Sequence, residues 1–197
     1  MSKVSIAVQF LRFLRAQKRD ITADEIIKVG RMIEISDDGD ADSLWATSGG
    51  EAGLAATIAA AGMKQTSYQP GLGWGFASTT AHDQALLAAA LARKRLLEPT
   101  DTRFLLGLMR NVEPTQRWGF ADSIDPTLQP AVKNGWYEAT DNSIWGVNCM
   151  AIFDSQTLAH PFSIAVMTRY PAHLGMAYGQ ETCRGVAHLL GAWLTRK

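Results

Sequence analysis

Between residues 3 and 17, Val4, Ile6, Val8, Phe10, Leu11, Phe13 and Leu14 cover nearly the whole circumference of a helical wheel. That pattern predicts a helix buried on all sides rather than one lying on a surface. Thr22-Ala-Asp-Glu25 has the spacing of a capping box and predicts a second helix from about Ala23 to Glu34. The polar run Ser36 to Asp42 that follows reads as a turn. Ser48-Gly-Gly-Glu51 repeats the capping spacing ahead of Ala52 to Ala61, and Gly62 is placed to end that helix. Tyr68 to Gly75 holds one proline and three glycines and reads as a loop. Thr80 can cap a helix through about Arg95, and Pro99-Thr100 starts another that includes Phe104 to Arg110.

After about residue 118 the pattern changes period. Lys133 to Tyr137 reads as a short strand, followed by strand-like runs at Ser143 to Phe153 and Phe162 to Tyr170, the latter two joined by a polar turn region. Gly175 to Leu194 is an amphipathic helix with Met176, Cys183, Val186, Ala187, Leu190 and Leu194 along one side. The order predicts a single α+β domain: a helical lobe over about 1–117, then an antiparallel sheet covered by a C-terminal helix over about 118–197. There is no internal repeat or low-complexity tract.

Composition narrows the function classes. The chain has 197 residues, 47% hydrophobic and 19% charged, enough to bury a core without staples. Nineteen basic residues balance nineteen acidic ones with no basic stripe, so nucleic acid and anionic membrane are poor partners. No apolar run approaches the length of a membrane span. The basic, apolar start resembles an export signal only superficially: Gln9, Arg12 and Arg15 interrupt it and no small-x-small cleavage site follows. As written, the chain is expected in the cytoplasm, or in the cell envelope if a signal lies upstream. Cys149 and Cys183 form no zinc motif and are expected as buried free thiols. His82, His160, His173 and His188 are scattered without metal-ligand spacing and are expected in surface or packing roles. Among the tryptophans, Trp74 and Trp136 are the two expected to line a groove.

Three polar fragments carry the candidate chemistry: Lys3 at the head of the apolar helix, Ser36-Asp37-Asp38 after the second helix, and Lys133-Asn134-Gly135 with Trp136-Tyr137. Each alone has a plain reading. Lys3 is a terminal charge, Ser-Asp-Asp a turn or helix cap, and Lys-Asn-Gly a hairpin turn, because Asn-Gly suits positive φ. In this order, and across the change from helix to sheet, they resemble the Ser-x-x-Lys, Ser-Asp-Asn and Lys-Thr-Gly elements of the class A β-lactamase and penicillin-binding serine hydrolase (DD-peptidase) superfamily. The opening Met-Ser-Lys-Val-Ser-Ile-Ala, the stretch Met32-Ile-Glu-Ile-Ser-Asp-Asp through Leu44-Trp45, Arg117-Trp118-Gly119 and the Trp145 to Phe153 strand extend the resemblance over nearly the whole chain.

The resemblance implies a β-lactamase/transpeptidase-like fold and an acyl-serine route on β-lactams or D-Ala-D-Ala peptides, with no metal or organic cofactor. A serine hydroxyl is a weak nucleophile, and a lysine one helical turn along can take its proton. Lys3 corresponds to that lysine, Ser36 to the proton-relay serine, and Asp38 stands in the asparagine's place. Lys133 corresponds to the lysine that binds the substrate carboxylate, with Asn134 for threonine and Gly135 letting substrate approach the strand. Trp136 corresponds to the donor of the oxyanion-hole N–H.

Several departures shape the expectation. The family's nucleophile falls one position before Met1, so the gene product is expected to begin upstream, with the family's N-terminal helix, strands and an export signal. Without those strands the sheet is expected to have an open edge. A carboxylate at Asp38 favours the charged form of Lys3, against its role as base. Gly62 to Gly75 lacks the Glu-x-x-Leu-Asn pattern that supplies the deacylating glutamate, which leans toward peptide trimming over lactam hydrolysis. The competing expectation is an inactive module that binds cell-wall peptide or β-lactam without turnover.

Overall fold

In the computed structural model, which describes residues 1–139, 141–154 and 161–194, the first helix, α1 (Ser2–Ala16), is the axis of the helical half. Val4, Ile6, Ala7, Val8 and Phe10 are fully buried, as the all-round apolar pattern predicts. Each such Val, Ile or Phe contributes about 1.5–3 kcal/mol by leaving water. Around α1 stand α2 (Ala23–Glu34), α3 (Asp38–Thr47) and α4 (Gly50–Ala61). Gln9 is the polar exception inside this core. Its Nε2 donates to the carbonyls of Ser48 (3.2 Å) and Gly50 (3.0 Å), satisfying backbone acceptors where α3 passes into α4. Close approach there requires glycine at 53, because a Cβ would run into the Ser48 carbonyl and the Gln9 amide. Arg15 fixes the other end of α1, with a bidentate pair to Asp101 at 2.7 and 2.6 Å on α6 (Pro99–Arg110).

The capping signals for two helices hold. Thr22 and Glu25 form the reciprocal box at the start of α2, and Thr80 accepts the Asp83 N–H at the start of α5 (Ala81–Ala92). Gly62 closes α4 at φ +74. Two expectations are corrected. Ser36 to Asp42 is not simply a turn: Asp37 caps a helix by accepting the Asp40 N–H at 2.8 Å, and acidic side chains in the first turn suit the helix dipole. Ser48 does not cap α4; its hydroxyl donates back to the Leu44 carbonyl at 2.7 Å, and Gly49 at φ +94 makes the junction instead.

The remaining chain builds one antiparallel sheet. A short helix α7 (Phe120–Ser123) leads to β1 (Ala131–Glu138), β2 (Ile144–Phe153), β3 (Phe162–Met167) and β4 (Tyr170–Pro171). β2 is central, paired with β1 on one side and with β3 and β4 on the other. Thr168 bridges the gap between β3 and β4: its hydroxyl accepts the Val147 N–H at 3.1 Å, and its own N–H donates to Asn148 Oδ1 at 3.0 Å. The β1–β2 register pairs Lys133 with Met150 and Asn134 with Cys149. Strand alternation therefore sends Ala131, Met150 and Ile152 into the helical core, while Val132, Cys149 and Ala151 face α8 (Gly175–Leu194). This is the α+β arrangement the sequence predicts, a helical part followed by an antiparallel sheet covered by a terminal helix. The outer side of β3 carries no strand among the described residues. The polar segment between β2 and β3, which includes His160, lies outside the described residues. Among those described, no helix is long and apolar enough to cross a membrane.

Cys149 and Cys183 are not free thiols. They form a disulfide between β2 and α8, with Gly119 at φ +86 packed against the Cys183 Cβ. Both residues were legible as buried, but their pairing depends on a strand face meeting a helix face, which spacing alone does not reveal. Trp193, near the end of α8, is half exposed. Closing a loop of 34 residues restricts the unfolded chain by about 3–4 kcal/mol. Replacing both cysteines with alanine, or reducing the protein, is expected to lower the melting temperature by on the order of 10 °C. An unchanged melt, followed by circular dichroism with and without reductant, counts against the bond.

Candidate active site

The site forms where the first turn of α1, the α2–α3 junction and the outer side of β1 meet. The junction is set by local chemistry. The backbone N–H groups of Ile35 and Asp37 both donate to the Arg31 carbonyl at 3.2 Å, and between them Ser36 takes the left-handed conformation at φ +65. Arg31 then pairs with Asp37 at 3.2 Å and Asp40 at 3.0 Å, fastening the start of α3 to the end of α2. The Asp40 N–H, and after it Arg31, hold Asp37 below the usual carboxylate range.

Ser36 is thereby offered to two lysines. Lys3 Nζ donates to the Ser36 carbonyl at 2.5 Å and to its Oγ at 3.1 Å, and pairs with Asp38 Oδ1 at 2.5 Å. Lys133 Nζ donates to the same Oγ at 3.0 Å and to the Asn134 carbonyl at 3.0 Å. Lys133 is 1% exposed. Burial, reinforced by the charge of Lys3 and opposed by Asp38, pushes its amine down from 10.5 to about 7. The structure thus brings Lys3, Ser36, Asp38 and Lys133 together.

The other predicted residues flank this cluster. Gly135 borders the cleft and lies so close to α1 that a Cβ would come 2.5 Å from the backbone nitrogen of Met1. Trp136 is 40% exposed on the cleft wall, its ring 6.5 Å from that of Trp118. Asn134 borders the cleft, but its amide turns away and donates to the carbonyls of Gln116 (2.9 Å) and Trp118 (2.7 Å). Trp74 lines the opposite wall with its ring centroid 5.4 Å from Lys3 Nζ. The cleft between them encloses about 600 Å³. His82, His173 and His188 lie exposed on the surface.

A sequence model described as the Beta-lactamase enzyme family matches residues 3–194. The chain belongs to this family. No curated protein matches the sequence. Solved structures of the same fold include the TLA-3 extended-spectrum beta-lactamase, 16% identical with TM-score 0.78 over 95% of this chain and 82% of that one. A class A beta-lactamase from Bacteroides cellulosilyticus DSM 14838 superposes with TM-score 0.83 at 12% identity, over 99% of this chain and 82% of its own. PBP-A is 18% identical with TM-score 0.77, over 100% of this chain and 80% of its own. At these identities the likeness to the solved structures is one of fold.

In this beta-lactamase family member, two acidic residues outside the predicted motifs hold the loop that carries Trp74. Asp42 on α3 accepts the Trp74 indole N–H at 2.7 Å, and Glu51 on α4 accepts the Gly71 N–H at 2.5 Å. Together they fasten the glycine-rich loop over the cleft. For Asp42 the signal in the sequence is the polar face of α3, which a turn over Ser36 to Asp42 does not present.

Lys133 gives the site a pH signature. Its folded amine loses its proton near pH 7, whereas the unfolded chain holds the proton to about 10.5, so the unfolded state binds more protons between those values. Stability therefore rises with pH across that window, and below it the buried charge costs roughly 5 kcal/mol. Lys133→Met removes the cost. Denaturant unfolding is expected to show the variant gaining on the wild type at about pH 6 and losing that advantage by about pH 10. A stability difference that does not change with pH rejects the assignment.

Proposed function

We propose that this family member is a serine hydrolase-like domain of the β-lactamase/DD-peptidase superfamily, and that its cleft takes β-lactams or D-Ala-D-Ala peptides. The observation that carries the reading is the convergence of Lys3 and Lys133 on one hydroxyl, Ser36, beneath a cleft walled by Trp74 and Trp136. The Lys3 amine and the Ser36 hydroxyl line this cleft and the Lys133 amine lies directly behind that hydroxyl, an arrangement that suits a small ligand with a carboxylate next to an acyl group. Lys133 receives the carboxylate, the side of β1 at Gly135 and Trp136 receives the extended part of the ligand, and Ser36 passes a proton. In the acyl-serine route implied by the sequence motifs, Lys3 serves as the base of the attacking serine. A PBP-A variant of the same fold, 17% identical with TM-score 0.74 over 99% of this chain and 80% of its own, was solved as an acyl-enzyme complex with penicillin G, which supports β-lactams as probes.

The second reading, an inactive binding module, draws on Asp38. Its carboxylate occupies Lys3 at 2.5 Å, where a base needs a free lone pair. Both readings require the carboxylate contact. A fluorescent penicillin is expected to bind saturably, and Lys133→Ala to weaken it by about 10- to 100-fold, the worth of a charge-assisted hydrogen bond. Fluorescence anisotropy measures this, with a cooperative melt as the check on the variant. Binding that does not saturate, or that ignores the substitution, sinks both readings. On protein extended to carry the attacking serine, a denaturation-resistant label favours the enzyme and a reversible one the module.

A further inference from the structure

We infer that Ser36 is itself an acyl-accepting nucleophile whose proton goes to Lys133, and that the ligands it attacks are acyl donors without a carboxylate, such as activated esters. This goes beyond the preceding reading, in which Ser36 relays a proton and Lys133 binds an anion, and it does not depend on it.

The argument starts from the surroundings of one oxygen. Ser36 Oγ lies 3.0 Å from Lys133 Nζ and 3.1 Å from Lys3 Nζ, and Ser36 borders the cleft. The two amines are not equivalent. Lys3 is paired with the Asp38 carboxylate at 2.5 Å and lies 5.4 Å from the centre of the Trp74 ring. Lys133 has no carboxylate accepting from its Nζ among the described residues; its partners are the Ser36 hydroxyl and the Asn134 carbonyl. The charged and polar groups facing it are Lys3 from α1, Asp38 from α3 and the Met1 backbone nitrogen at the Gly135 contact. Burial beside a second cation leaves a large share of Lys133 neutral near pH 7, in the form that accepts a proton. A lysine next to a serine is a known arrangement for activating a hydroxyl. A ligand carboxylate on Lys133 would restore its charge and abolish the acceptor, which selects carboxylate-free donors.

The backbone points the same way. A residue at φ +65 suits glycine, and holding serine there costs about 1–3 kcal/mol. The serine keeps a hydroxyl at the only point that both lysines reach among the described hydrogen bonds. In the step proposed, Oγ attacks the ester carbonyl and forms the O–C bond as its proton moves to Lys133 Nζ. The Lys3 ammonium offsets the negative charge that develops. The bond from the acyl carbon to its leaving oxygen then breaks, leaving a Ser36 ester, and the phenolate departs while Lys133 gives its proton to solvent.

The test uses p-nitrophenyl acetate on the full chain. The expected result is a burst of about one p-nitrophenolate per chain, with an acetyl group mapped by mass spectrometry to the Ser36 peptide as an ester that hydroxylamine removes. Its rate is expected to rise with pH through about 7, to fall at least 100-fold in Lys133→Met, and to vanish in Ser36→Gly, which suits the backbone conformation and should still melt cooperatively. Ser36→Cys is expected to restore the burst as a thioester. Acetyl found only as an amide on Lys133 or surface lysines, or a burst that survives Ser36→Gly, overturns the inference. So does the absence of any burst in a wild type that melts cooperatively. None of these outcomes bears on penicillin binding, which is measured separately.

Discussion

Burying the amine of Lys133 is the constraint around which the site is organised. Desolvating an ammonium costs several kcal/mol, and no ion pair to Lys133 is present among the described residues to offset it. Part of the compensation is a lowered proton affinity, and the rest comes from two oxygens, Ser36 Oγ and the Asn134 carbonyl, each at 3.0 Å. Both must be held in place. The Asn134 position is fixed by its amide, anchored to the carbonyls of Gln116 and Trp118 on the far face of the strand. Ser36 is fixed by the paired bonds to the Arg31 carbonyl and by the Asp37 cap that starts α3. The sheet and the helical half are thus locked together at the point where the cleft opens.

The electrostatics of the cleft follow from which charges are exposed. Asp38 meets Lys3 from the open side of the cleft: its side chain is 79% exposed and that of Lys3 10%, so water and salt reach the carboxylate end of the pair. Lys133 is screened by almost nothing. Burial at the sheet edge therefore sets the protonation of Lys133. The two lysines end up in different settings: Lys3 is paired with a carboxylate that reaches solvent, and Lys133 is divided between its two forms in the interior.

Much of this was legible in the sequence where the determinant is local. The Thr22–Glu25 box, the Thr80 cap, Gly62 and the all-apolar first helix are each read from a few neighbouring residues, and each holds. The fragments at Lys3, Ser36 and Lys133 were found through their order, and the structure brings them within 3.1 Å of a shared oxygen. What escaped was non-local or ambiguous. Asp37 caps a helix whose first turn also contains Gly39, a composition that reads equally well as a turn. The Cys149–Cys183 bond joins a strand face to a helix face, and the Asp42–Trp74 hydrogen bond spans 32 residues. Gln9 looked like an interruption of an apolar helix, yet it serves carbonyls about 40 positions away. Such partners become visible only when the helices have been packed.

The chemistry of the cleft turns on what a ligand does to one proton. Near neutral pH Lys133 has both forms available, so its role is not fixed by the protein alone. An anionic ligand supplies the charge that burial removed and makes the amine a binding group. A neutral acyl donor leaves it free to accept a proton from Ser36. The same geometry can thus support anion recognition and hydroxyl activation, but not for the same ligand atom at the same moment. The strain at Ser36 separates this from a purely structural account. A turn at φ +65 is better served by glycine, and the hydroxyl retained there completes the contacts to both lysines. The conformational cost therefore sits at the one backbone position where removing the side chain would leave two amines without their common acceptor.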